Sequence, residues 1–149
     1  MTDILISDFT DNVFQNAFKL YFKELGIEVK NWNALFEEIT NENGNNAFVR
    51  LGERENIIGF VMFKAEKLCN WFFEESIGFI REFWVAKDYR NNGHGSDLLK
   101  LAEDFFKKNQ IKKAILTTDT AQRFYELHGY FKDTAYVAKN DDAVFIKYL

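Results

Sequence analysis

Proline is missing from all 149 residues. No turn is therefore preset by a locked φ, and loops must be shaped by Gly, Asn and Asp. A single cysteine, Cys69, excludes an internal disulfide and fits a reducing compartment, with the cytoplasm as the expected location. That thiol has no partner pattern with either histidine, His94 or His128, so it reads as a buried or bystander cysteine. Long hydrophobic runs are also missing. The longest, Ile57 to Phe63, falls far short of the roughly 20 residues that span a membrane. The opening Met1-Thr2-Asp3 is acidic and no apolar region follows, so no secretory signal is expected. Neither sign of charge dominates. The formal balance is -4 and the pI about 5.3, which gives no general attraction to nucleic acid or to an anionic membrane. Neither is expected as a partner.

Aromatic residues are plentiful, with 17 Phe, 6 Tyr and 3 Trp in a chain that is 47% hydrophobic. Such a composition argues against disorder and supplies one real core. Without repeats, low-complexity tracts or linkers, residues 1–149 are expected to form a single domain.

Ile4–Ile6 reads as a short strand. Asp11 or Asn12 can cap a helix whose apolar face is Phe14, Ala17, Phe18, Tyr21, Phe22 and Leu25, ended by Gly26. Trp32, Leu35, Phe36 and Ile39 mark a second helix, closed by the Asn/Gly-rich turn 41–46. These aromatics read first as core, with a cleft wall as the alternative for some of them. Residues 47–51 and 57–63 form an expected hairpin around the polar turn 52–56. The stretch 64–76 is ambiguous: Trp71, Phe72 and Phe73 extend a strand or form a loop touching substrate or partner. A central strand, 77–85, leads through a loop to an amphipathic helix ending near Lys108. A strand over 111–117 should lie parallel to 77–85, joined by a right-handed crossover. A short helix follows over 121–128, capped by Asp119 or Thr120 and stopped by Gly129. Two closing strands, 132–137 and 143–148, complete the chain.

The stretch from Val85 to Ser96 organises the rest. A strand, a short glycine-bearing loop and a helix N-terminus make an anion site, because the first-turn amides are unpaired and the helix dipole favours negative charge. Gly93 and Gly95 remove side chains that would hold a phosphate away, and Arg90 adds positive charge. Two nucleotide loops are excluded on inspection. A dinucleotide fingerprint needs glycine where Leu98 stands, and no Gly-Lys-Ser/Thr triplet occurs.

Arg90-Asn91-Asn92-Gly93-His94-Gly95 resembles the Arg/Gln-x-x-Gly-x-Gly/Ala signature of the GNAT family of N-acetyltransferases. Ala121-Gln122-Arg123-Phe124-Tyr125-Glu126-Leu127-His128-Gly129-Tyr130 resembles that family's second signature, Ala-x-x-Phe/Leu-Tyr-Glu-x-x-Gly-Phe/Tyr. The order of loop, helix, strand and second motif is also the family's. The resemblance implies a mixed α/β (α+β) fold: a mostly antiparallel central sheet with a parallel pair at its centre, flanked by about four helices. It implies direct acetyl transfer from acetyl-CoA to a primary amine of a small molecule, peptide or protein, in a ternary complex and without a metal. The partner is that amine acceptor, and the chain acts as a monomer or homodimer.

By the same resemblance, amides of Asn91, Asn92, Gly93, His94, Gly95 and Ser96 hold the pyrophosphate. The strand edge at Phe83, Trp84 and Val85 pairs with the pantetheine arm and offers an N–H to the thioester carbonyl. Phe124 and Thr118 complete the cofactor side, and Tyr125 is the general acid for the thiolate. Two departures stand out. Lys87 replaces a frequent proline, loosening the loop entry, and Thr118 replaces a frequent asparagine, with one hydrogen bond at stake. Glu82, a charge within an apolar strand, is the candidate base. The other readings of Glu82 are an ion pair with Arg81 or a lysine, or a solvent-facing strand position. His94 reads as a cofactor contact or a solvent-facing loop residue. His128 sits where a cation suits a helix C-terminus and has no catalytic role. Two further readings of the whole chain remain: a catalytically silent CoA-binding module of the same fold, and an unrelated nucleotide-phosphate binder.

Overall fold

The computed structural model describes residues 1–149. The elements are β1 (Thr2–Ile6), α1 (Asn12–Leu25), α2 (Trp32–Asn41), β2 (Asn45–Leu51), β3 (Ile57–Cys69), β4 (Glu74–Val85), α3 (His94–Lys108), β5 (Lys113–Thr118), α4 (Gln122–Leu127), β6 (Phe131–Lys132) and β7 (Ala143–Tyr148). All seven strands join one sheet in the order β1-β2-β3-β4-β5-β7-β6. Only β4 and β5 run parallel, and every other pairing is antiparallel. No helix is long and apolar enough to cross a membrane.

Each sheet face carries its own core. Asp11 accepts from the amides of Val13 and Phe14 to start α1, and Gly26, at φ 71°, ends it. The face between them buries Phe14, Ala17 and Phe18 with Phe36 and Ile39 of α2, over Val49, Phe60, Met62 and Trp84 of the sheet. Phe14 and Phe18 each lie within 6.1 Å, centroid to centroid, of both Phe36 and Phe60. The opposite face buries Leu98, Leu99, Ala102 and Phe106 of α3 and Tyr125 of α4 against Val61, Phe63, Ile80, Leu116 and Phe145.

Several sequence-based boundaries move. The ambiguous stretch 64–76 is two strands: β3 continues to Cys69 and β4 begins at Glu74. They join through a tight turn in which the Asn70 side chain accepts from the amides of Phe72 and Phe73. Strand propensity in Phe63–Cys69 is weak, so only pairing with β4 decides it. Trp71, at the tip, is 99% exposed, and Cys69 is exposed rather than buried. The strand expected at 132–137 shrinks to Phe131–Lys132, because β6 pairs only with Phe145 and Ile146 of β7. The short helix lacks the Asp119 or Thr120 cap. Instead the Thr118 hydroxyl accepts from the amide of Ala121 at 3.0 Å.

Two features of β4 position the site. Met62 pairs with Glu82 and Phe63 with Ile80, so Arg81 is the extra residue of a β-bulge. The bulge puts Ile80 and Phe83, three apart, on the α3 face, while Trp84 packs on the α1 face. Arg81 itself is tied to Glu42 and Asn45 at 3.0 Å each. The second feature is divergence. β4 and β5 pair only at Gly78–Ala114 and Phe79–Ile115, so the β4 edge from Ile80 to Val85 has no strand beside it on that side.

The buried aromatic cluster carries stability and the hairpin tip does not. Phe14→Ala should cost about 3–5 kcal/mol, whereas Trp71→Ser should stay within about 0.5 kcal/mol. Equilibrium urea unfolding of both variants checks the contrast.

Candidate active site

The β4–loop–α3 junction has the parts of an anion site. A short 3₁₀ turn, Lys87–Tyr89, follows β4, and Gly93 adopts φ 85°, a left-handed conformation that glycine reaches without strain. The first helical bond runs from the Asp97 amide to the Gly93 carbonyl. The N–H groups of residues 91–96 make no backbone hydrogen bond, and Asn91, Gly93, His94, Gly95 and Ser96 line a cavity of about 450 Å³. Phe83, Val85, Tyr89, Ala121 and Phe124 line its other side. At Gly95 the requirement is space: a Cβ would sit 3.6 Å from the Phe124 ring and 3.8 Å from Phe83, inside that cavity. The cradle therefore suits a diphosphate with an apolar arm beside it.

Side chains brace the cradle from below. Arg50 is only 5% exposed. It donates to both Asp3 oxygens at 2.7 and 2.9 Å, to Asp97 at 2.7 Å and to His94 Nδ1 at 3.2 Å. A guanidinium only donates, so His94 Nδ1 accepts and the neutral ring carries its proton on Nε2. His94 thus faces both a structural partner and the cavity it lines. Arg90 donates to the Val85 carbonyl at 2.9 Å and to the Glu24 carboxylate. Hydrogen bonding by Arg90 holds Glu24 below the usual carboxylate range. Glu24 also accepts from the Trp84 indole at 3.1 Å. Thus the Trp84 side chain packs away from the cradle, and only its backbone lies on the open strand edge.

Beyond Phe83 and Ala121, which line both spaces, a second cavity of about 220 Å³ fills the divergence of β4 and β5. Glu82, Tyr125, Tyr21, Thr118, Asp119 and Asp142 line it. Glu82 makes no ion pair with Arg81. Its carboxylate accepts from the Tyr21 hydroxyl at 2.8 Å. Burial raises its pKa above the usual carboxylate range, against the lowering effects of the Tyr21 bond and Arg81. The Tyr21 phenol is pushed well up, by burial first and then by Glu82 and Tyr125. Tyr125 is pushed up to about 12 by burial alone, and its hydroxyl meets no partner within the chain. Thr118 still has its own O–H to donate while it accepts from Ala121. The buried Glu103 accepts from Tyr130 at 2.8 Å and from Lys147 at 3.1 Å, fixing the segment after α4. No group of three or more His, Cys, Asp or Glu side chains is placed to hold a metal ion.

Of the residues assigned to the cofactor or to catalysis from the sequence, all but Trp84 and Asn92 line one of these two adjoining spaces, whereas His128, Lys87 and Cys69 line neither. Sequence reasoning missed Tyr21, Glu24, Arg50 and the His128–Ser96 contact, where Nε2 lies 2.9 Å from Oγ. Tyr21 carried one signal, a polar tip within an apolar helix stripe. The others act over long sequence separations and carried none.

The raised carboxyl has a pH signature. Such a group favours its neutral form in the fold, so its contribution is full below the unfolded value and is lost as pH rises through the folded one. Glu82→Gln removes that loss. The variant should melt above the parent at neutral pH, with the gap closing towards about pH 4. Melting curves over that range check it, and a constant gap contradicts it.

Comparison with known proteins follows the same lines. Residues 7–130 match the model of the acetyltransferase (GNAT) family. A search of curated proteins finds no match in sequence. A Pyrococcus furiosus protein, described as a candidate acetyl transferase, superposes with a TM-score of 0.71 at 24% identity, over 93% of this chain and 99% of that one. A GNAT-family acetyltransferase from Staphylococcus aureus MU50 gives 0.70 at 19%, over 99% of each chain. Arabidopsis thaliana NAA60 in complex with acetyl-CoA gives 0.68 at 13%, again over 99% of each. With both signatures at one cleft and the family matched over most of its length, this chain belongs to the GNAT acetyltransferase family.

Proposed function

We propose that residues 1–149 act as one acetyl-CoA-dependent N-acetyltransferase unit, moving an acetyl group to a primary amine. The observation that carries this reading is the continuity of the two spaces. Unpaired amides of residues 91–96 edge one cavity, and Glu82 and Tyr125 line the next, with Phe83 and Ala121 between. Acetyl-CoA would bring the acetyl thioester. The amides of Asn91 to Ser96 would hold its diphosphate, with Arg90 beside them, and the free β4 edge at Phe83–Val85 would bond the extended pantetheine arm. Its likeness to the acetyl-CoA complex of the Arabidopsis protein supports that direction.

Within the wedge, Glu82 accepts the amine proton, directly or through a water. Its raised pKa makes it a stronger base than an ordinary carboxylate. A neutral amine can then attack, with a β4 backbone N–H near the bulge polarising the carbonyl. The Tyr125 phenol, still protonated at neutral pH, bonds the departing sulfur and yields its proton as the C–S bond breaks. A thiol ordinarily titrates near ~8.5, well below this phenol, so stabilisation of the thiolate by the hydrogen bond matters as much as full proton transfer. Thr118 supplies a further hydroxyl at the wedge, and Phe124 stacks on Phe83 at 5.8 Å to wall the arm. The carboxylates of Glu82, Asp119 and Asp142 suit a cationic acceptor.

Tyr125→Phe keeps the ring and its packing, so melting and acetyl-CoA affinity should barely change. With an identified amine acceptor, kcat should fall by roughly 10²–10⁴. Near-parental kcat would remove Tyr125 from the chemistry. Coenzyme binding without turnover of any amine in the parent would leave the silent module instead. Gly95→Val should weaken acetyl-CoA binding at least tenfold, on the order of the ~1.4 kcal/mol or more that crowding a filled site costs. A titration of the folded variant reads it.

A further inference from the structure

His128 lies 2.9 Å through Nε2 from the hydroxyl of Ser96, a cavity-lining residue of the first turn of α3. Its other ring nitrogen, Nδ1, lies 2.7 Å from the carbonyl oxygen of Phe124. A carbonyl can only accept, so Nδ1 carries a proton. In the neutral ring Nε2 is then an acceptor, and the one proton of the Ser96 hydroxyl is spent on it. Ser96 therefore turns only lone pairs towards the space where the amides of residues 91–96 await an anion. A phosphate oxygen there would meet an acceptor. The conflict disappears when the imidazole gains a proton: Nε2–H donates to Ser96 Oγ, and the Ser96 O–H is released to donate to the anion.

We propose that His128 is a positioning residue for the coenzyme, and that filling the cradle with a diphosphate takes up one proton from solvent at its imidazole. The proposal rests on the coenzyme reading of the cradle. Phe124 faces the ring from its own helix, at 4.4 Å between centroids, and Ser96 faces it from α3. No charged side chain of the surrounding elements pairs with the ring, whose polar partners are Phe124 and Ser96 alone. Glu24 holds Arg90, Arg50 holds His94 and Asp97, Asp104 holds Lys100, and Glu103 holds Lys147. Arg123 and Glu126 on α4 form no ion pair with the ring. The bound anion is thus the charge to which the imidazole responds. Since the protonated ring is the one that frees Ser96, binding tightens as pH falls and the ring gains its proton. The gain is bounded by linkage at about tenfold per pH unit for one proton.

The test is calorimetric titration of coenzyme A into the full chain near neutral pH, in two buffers of different ionisation heat. The parent, His128→Gln and Ser96→Ala are compared. Protonation of the free ligand is common to all three and cancels. The parent should take up a larger fraction of a proton per coenzyme than either variant, and its affinity should rise more steeply between about pH 8 and pH 6. Ser96→Ala keeps the imidazole but cuts the coupling, so it decides the matter even if His128→Gln unfolds. Equal proton uptake in the parent and Ser96→Ala overturns the inference while leaving the coenzyme reading intact. Absence of coenzyme A binding in the folded parent overturns that reading, and this one with it.

Discussion

The separation of β4 from β5 is the constraint on which the rest of the molecule depends. Two parallel strands that pair at Gly78 and Phe79 and then part leave a row of backbone donors and acceptors on β4 without a neighbour. Such groups are costly when both buried and unpaired. They must meet water or an extended ligand, so the wedge is open by construction. Different cores on the two faces hold it open. Trp84 is anchored under α1 and Phe83 under α3 and α4, so neither can shift without losing a packed aromatic neighbour. The bulge at Arg81 sets that alternation, and its side chain is pinned by Glu42, which hydrogen bonding by Lys64 and then Arg81 holds down to about 2.

Polar ties then lock the cradle to this frame. Arg50 joins β1, β2 and the first turn of α3 through Asp3, Asp97 and His94. A buried guanidinium near a helix N-terminus would be unfavourable alone, and the two carboxylates offset it. Glu24 reaches from α1 to Arg90 and Trp84, and Tyr21, one turn earlier on the same helix, reaches Glu82. The first helix therefore lines the smaller space through Tyr21 and holds Arg90 of the larger one through Glu24, as well as being a core element. Burial also tunes two titratable groups. A carboxyl made more basic and a phenol kept protonated border one small wedge, an arrangement in keeping with the proposed proton acceptance and donation.

Local pattern decided a large share of this. The helices of residues 12–25 and 94–108 were legible because apolar spacing, caps and Gly26 agree, and agreement across levels is what specifies an element. Gly93 and Gly95, set between a strand and an amphipathic helix, marked a candidate anion cradle on physical grounds alone, and Glu82 stood out as a charge in an apolar strand. Where local signals were weak, the reading ran out. Residues 64–76 show no strand pattern, yet they pair as two strands because β3 and β4 extend each other. Residues 134–137 carry Thr, Tyr and Val yet extend no strand, since the β6–β7 ladder ends at Lys132. The side-chain tie just before α4 came from Thr118, a residue of the preceding strand.

The sequence by itself determined the element order, the aromatic core and the two motifs, because these depend on periods and spacings within about 15 residues. The tertiary structure alone decided which polar groups meet. Tyr21 and Glu82 are 61 residues apart, Glu24 and Arg90 are 66, and Ser96 and His128 are 32. Such contacts arise from how helices cross a twisted sheet, and no linear pattern records that geometry. The bulge and the short β4–β5 pairing belong to the same class, since strand register emerges only when a partner strand is in place.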